Sequence, residues 1–211
     1  MISKKFNCIF IHIPRTGGHS IHKAFKYSVK KPLVDNMGRE IDHYRFIDYQ
    51  ETVHDFHKYL SFSFTRNPWA KALSEFVFLK HGTNMWPGAS RNRSVNPGPM
   101  RFKEYLTSIK NLDFQKFNHF EKSHFIPQFY YLSNKNSKIN VDFIGKFETL
   151  QKDFTFFVKK LKGQIPGLTH LNKRKARNHH YSRYYDQESI KLVESIYKID
   201  IDTFDYSFKQ V

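Results

Sequence analysis

The residues richest in chemistry lie at positions 13–20: Ile13, Pro14, Arg15, Thr16, Gly17, Gly18, His19 and Ser20. A glycine pair lets the backbone approach a ligand closely and turns N–H groups toward it. A helix opening at that pair adds donors without intrahelical partners and a favourable dipole. Arg15 supplies a permanently charged planar fork, and Thr16 and Ser20 supply hydroxyls. Such a set binds an anion; the same residues also fit a plain tight turn between a strand and a helix. Two common phosphate loops are excluded by residue. The nucleotide P-loop ends in Gly-Lys-Ser/Thr, whereas His19 follows Gly18 here, and the dinucleotide fingerprint needs a third glycine that is missing. Twelve histidines invite a metal reading. No His-Glu-x-x-His or paired Cys-x-x-Cys spacing occurs, and the chain has one cysteine, so no metal is expected.

These residues need elements to position them. Residues 6–13 read as a strand apolar on both faces, with Phe6, Cys8 and Phe10 on one side and Ile9, Ile11 and Ile13 on the other. Strands of that kind lie inside parallel sheets covered by helices. Ile21, Ala24, Phe25 and Ser28 then follow a helical face. Residues 60–65 read as a second strand, and Asn67 and Pro68 suit the cap and first position of the helix after it. Residues 141–147 are a third strand candidate, followed by a helix carrying Leu150, Phe154, Phe157, Val158 and Leu161. Further helices are expected around Phe102, Tyr105, Leu106 and Ile109, and from Asp186 through Ile190, Val193 and Tyr197. Alternating strands and helices predict a single α/β domain over residues 1–211, its central, mainly parallel sheet flanked by helices. Residues 81–100, rich in Gly and Pro, read as an irregular insert of the kind that forms lids or binding loops.

The net charge is +16 over 211 residues. Such a surplus attracts polyanions, and a nucleic acid, an anionic membrane, a nucleotide or an acidic polysaccharide would each answer it. No apolar run approaches the ~18 residues that span a bilayer, and the apolar start at Cys8 is short for a signal peptide. With one cysteine and hence no internal disulfide, the expectation is a soluble, cytoplasmic protein.

Residues 10–21 resemble the 5′-phosphosulfate loop of sulfotransferases that use 3′-phosphoadenosine 5′-phosphosulfate (PAPS), the group that includes many carbohydrate sulfotransferases. That family usually shows Pro-Lys-Thr-Gly-Gly-Thr-Ser; Arg15 and His19 stand here in place of the lysine and the first threonine after the glycines. The resemblance implies a P-loop-like fold. It implies PAPS binding by Arg15, Thr16, Gly17, Gly18, His19 and Ser20, and a 3′-phosphate site at Arg66 and Ser74, which stand in a similar Thr65-Arg66-Asn67-Pro68-Trp69 context. Lys173 and Arg174 match the basic loop that closes over the nucleotide in the family. The likeness extends through residues 124–128, 143–148 and 184–208. Residues 41–49 are similar to the segment of heparan sulfate 2-O-sulfotransferases that carries their proposed base. This makes His43 the expected catalytic base and Arg15 its catalytic partner at the leaving group. His124 is expected on the acceptor side. The expected reaction is sulfuryl transfer to a hydroxyl, with a carbohydrate as acceptor and no nucleic acid partner. A basic nucleic-acid-binding module and a P-loop-type kinase are the alternatives.

Overall fold

The computed structural model describes residues 1–25, 43–81, 100–111, 124–161, 165, 167–168 and 179–211. In chain order the elements are β1 (Ile2–Ser3), β2 (Cys8–Phe10), α1 (Gly18–Ala24), α2 (Phe46–Thr52), β3 (Leu60–Thr65), α3 (Pro68–His81), α4 (Phe102–Lys110), α5 (Phe129–Leu132), β4 (Phe143–Lys146), α6 (Leu150–Val158), α7 (Gln187–Ile196) and α8 (Lys198–Phe204). They fall into two compact units, Met1–Arg66 with Gln128–Lys173, and Asn67–Pro127 with Arg174–Val211.

The first unit is α/β. Its four strands lie in the order β1-β2-β3-β4, with β1 antiparallel to β2 and the remaining pairs parallel. This is the mixed α/β, mostly parallel sheet that the alternating pattern predicts. All of β2 and residues 61–65 of β3 are buried, which explains why both read as unbroken runs rather than alternating ones. Asp142 fixes the β3–β4 register: its carboxylate accepts from the Ser61 amide at 2.7 Å and the Ser61 hydroxyl at 2.6 Å. Phe10, Phe62, Phe64, Phe154 and Phe157 fill the core, each fully buried ring worth about 1.5–3 kcal/mol. Cys8 lies in the same core with no exposed surface, and burial pushes its thiol up to about 12.

The strand expected over residues 6–13 pairs only at Cys8–Phe10. Asn7 takes a left-handed φ of 47°, which ends regular pairing on one side, while the Ile11 amide still donates to Phe62 O at 2.8 Å beyond the other end. The third strand is likewise shorter, Phe143–Lys146. The second runs Leu60–Thr65, as expected.

The second unit is helical among its described residues. Asn67 Oδ1 accepts from the amides of Trp69 (3.1 Å) and Ala70 (3.3 Å), and Pro68 opens α3. The cap and first residue are thus those the sequence predicts. Trp69, Leu73, Phe76, Leu79, Tyr105, Leu106, Ile109, Val193 and Tyr197 form its core. Asp186 caps α7, its carboxylate accepting from the Ser189 amide at 2.7 Å. The last expected helix stops at Ile196, and the chain restarts as α8.

Candidate functional site

The loop between β2 and α1 carries most of the expected donor-site residues. Gly17 has φ 91°, a conformation that side chains other than glycine's rarely adopt, and a Cβ there would lie 2.8 Å from a Leu150 methyl. A Cβ on Gly18 would lie 1.9 Å from His12 Nε2. Both positions therefore require the smallest residue, one for conformation and one for space. Arg15 is left-handed as well, with φ 66°, a strained choice for a residue with a side chain. The Thr16 hydroxyl donates to Ile13 O at 2.8 Å and is fully buried. Its proton closes the turn. His19 is exposed and Ser20 half-buried at the start of α1.

Arg66, the last residue of this unit's first segment, reaches the same loop. Its Nη1 donates to Arg15 O at 2.9 Å, and its guanidinium lies 4.2 Å from the Phe147 ring centroid, within cation–π range. Its main chain is gripped by Gln128, which has no exposed surface: Oε1 accepts from Arg66 N and Nε2 donates to Arg66 O, both at 2.8 Å.

His43 precedes α2. That helix is placed by Arg45, whose guanidinium donates twice to the Asp48 carboxylate at 2.8 and 3.0 Å, while the Arg45 amide donates to the same group at 2.8 Å. The Asp48 hydrogen bond is the main cause that raises the Arg45 pKa. His43 Nδ1 lies 2.8 Å from His12 O. A carbonyl only accepts, so Nδ1 carries the proton and Nε2 of the neutral ring is the atom able to take one.

His12 is the centre of a histidine group. Its ring centroid is 4.4 Å from that of His43, 5.1 Å from that of His22 and 6.2 Å from that of His19. Burial, then the proximity of the other histidines, holds His12 well below the usual histidine range. Burial, with lesser charge repulsion, takes His22 down to about 3. Both rings are neutral at ordinary pH. Among the described residues, no group of three or more His, Cys, Asp or Glu is placed to hold a metal ion.

A profile of the sulfotransferase family matches residues 1–207. The chain belongs to the sulfotransferase family. An uncharacterized protein of Archaeoglobus fulgidus (strain ATCC 49558) is 32% identical over 106 residues, covering 50% of this chain and 70% of that relative. Membership supports sulfuryl transfer as the activity, and with it a transferase.

The remaining expected residues of this sulfotransferase-family chain are distributed as follows. Ser74 is 5% exposed on α3 of the second unit. His124 belongs to that unit too, with its side chain 6% exposed, its Nδ1 2.8 Å from Glu75 Oε1 and its ring stacked on Phe78. The nearby Lys71, 2% exposed, donates through Nζ to His124 O at 3.4 Å. Lys173, Arg174 and residues 82–99 lie outside the described residues. Sequence reading missed Gln128 as a partner of Arg66, and Glu75 as a partner of His124. No motif signals either pair, because each joins residues far apart in the chain.

Proposed function

We propose that the chain transfers the sulfuryl group of PAPS to a carbohydrate hydroxyl, using a P-loop-like fold. The observation that carries the reading is the loop of residues 15–18, with two glycines that tolerate no side chain and Arg15 held by Arg66. The residues fit the group: a positive fork and close-approach backbone suit a phosphosulfate. When bound, the nucleotide supplies an activated sulfuryl group on a phosphate leaving group. Arg15 would offset the charge that gathers on that phosphate, a stabilisation worth most where water is excluded. His43 would act as general base, Nε2 taking the acceptor's hydroxyl proton while His12 O holds the ring in the required tautomer. Thr16, Gly17, Gly18, His19 and Ser20 would hold the 5′ group. Arg66 and Ser74 are the proposed 3′-phosphate ligands, and Lys173 and Arg174 the proposed cover; the family resemblance is what supports Ser74, Lys173 and Arg174. An acidic glycan suits the +16 net charge, with His124 on the acceptor side.

The test is calorimetry with adenosine 3′,5′-bisphosphate, together with sulfate transfer from labelled donor to a glycan panel. Arg15→Ala should weaken nucleotide binding by about 1.5–3 kcal/mol. Acidic glycans should be preferred at low salt, and the preference should shrink as salt rises. Absence of nucleotide binding by the wild-type protein refutes the proposal. Equal sulfation of neutral and acidic glycans at both salts refutes the acidic acceptor alone.

A further inference from the structure

We infer that Arg66, gripped by Gln128, is a positioning residue for the 5′-phosphosulfate loop, separately from any part it takes in 3′-phosphate binding. The inference rests on the PAPS reading above for its consequence in binding, though not for its geometry.

Four observations form a continuous chain. Gln128 uses both ends of its amide on one residue, accepting from Arg66 N and donating to Arg66 O, and is completely buried while doing so. That pairing mimics a strand partner and fixes the backbone where β3 ends. The fixed backbone directs the Arg66 guanidinium across the loop, where Nη1 donates to Arg15 O at 2.9 Å. Arg15 O belongs to a residue in a left-handed conformation, φ 66°, which persists only where its surroundings hold it. Finally, Phe147 is shared: the guanidinium lies over its ring at 4.2 Å, and the same ring stands 3.3 Å from where a Cβ of Gly17 would be. Arg66 therefore holds the first residue of the 15–18 loop directly and packs on the ring that limits space at the third.

A residue needed only to meet a distant phosphate would gain nothing by bonding a loop carbonyl. A guanidinium carries five N–H donors in a fixed fork, so bracing Arg15 and binding a phosphate are compatible roles for one side chain. The consequence is that the two phosphate sites are mechanically joined. Losing Arg66 should loosen the grip on the 5′ group even of a nucleotide that has no 3′-phosphate.

Adenosine 5′-monophosphate is that probe, set against adenosine 3′,5′-bisphosphate. Arg66→Ala should weaken 5′-monophosphate binding about tenfold or more. Arg66→Lys, which keeps the charge but not the fork, should also weaken it. Gln128→Ala should weaken it in the wild-type background and add nothing in the Arg66→Ala background, a non-additivity that a general folding defect does not produce. Hydrogen exchange on the ligand-free protein gives an independent readout: amides of residues 15–18 should exchange faster in Arg66→Ala. The inference is overturned if 5′-monophosphate affinity stays within about twofold in both Arg66 variants while bisphosphate affinity falls. Additive losses in the double variant, or unchanged exchange at residues 15–18, overturn it as well. Wild-type protein that binds neither nucleotide refutes the PAPS reading instead, and the exchange measurement then decides the brace by itself.

Discussion

Two histidines in this chain have a ring nitrogen committed in the same way but to different partners. His43, in the α/β unit, has Nδ1 on a backbone carbonyl and is half-buried. His124, in the helical unit, has Nδ1 on the Glu75 carboxylate, and its side chain is 6% exposed. Both bonds fix a tautomer. The carboxylate favours a positive ring far more than the carbonyl does, because it carries a full negative charge. A base has to be neutral when it meets its proton and accessible to the group that gives it. On both counts the proposed base, His43, is the better suited of the two, while His124, proposed on the acceptor side, is also tied into the interior of its unit by Glu75.

The largest expected effect separates the two by kinetics. His43→Ala should bind adenosine 3′,5′-bisphosphate normally yet lose at least about a hundredfold in single-turnover rate. Near-normal turnover in that variant would move the base elsewhere, with His124 next in line. His124→Ala should act on stability instead, by about 2 kcal/mol in a denaturant titration, because it strips a hydrogen bond from a buried carboxylate. A stable His124→Ala protein with a hundredfold rate loss reverses the comparison.

Gly18→Ala probes the same contrast from the loop. A Cβ 1.9 Å from His12 Nε2 forces that ring to move, and overpacking of this kind costs about 1–3 kcal/mol. The displaced His12 ring, 4.4 Å from that of His43 between centroids, should disturb His43 as it moves. Nucleotide affinity and turnover should therefore fall together, whereas an affinity equal to wild type would show that the loop absorbs the methyl.

The effect that leaves the folded structure at neutral pH untouched is on pH dependence. His22 titrates at about 3 in the folded chain against 6.5 ordinarily, and His12 is lowered too. Below pH 6.5 the unfolded chain binds protons that the folded chain does not. Stability should be complete above about pH 6.5 and fall as the pH drops toward 3, by up to about 1.4 kcal/mol per pH unit for each such histidine. Thermal melts between pH 5 and 7 should show the slope, and His22→Gln should flatten it. A slope unchanged by that substitution would assign it to other groups.

Much of this was legible in the sequence because it is local. The unbroken run in β3, the Asn67–Pro68 start of α3, the Asp186 start of α7 and the glycine pair of the loop each depend on neighbours within a few residues. What escaped depends on length or distance. β1 has two residues, too few for a period to show. α2 did carry a signal, buried Phe46 and Tyr49 three apart with Arg45 and Asp48 at its start, but at seven residues it spans too few turns for a period to stand out. The Gln128–Arg66 grip spans 62 positions and the His124–Glu75 pair 49. Nothing in composition or spacing marks such pairs, since only folding brings them together. The same holds for His12: nothing in the sequence marks that its buried ring dictates a glycine at position 18.

Cys8 gives the chain a built-in reporter. It is the single thiol among 211 residues, it sits in β2, the strand that leads into the loop, and its thiolate is suppressed by burial. A thiol-reactive dye should leave the native protein unlabelled and mark each molecule once when the sheet opens, because the thiolate is the reactive form. Labelling rate then measures how often the central strand is exposed, molecule by molecule and without any engineered residue, and binding of a nucleotide at the adjoining loop would register as a slower rate.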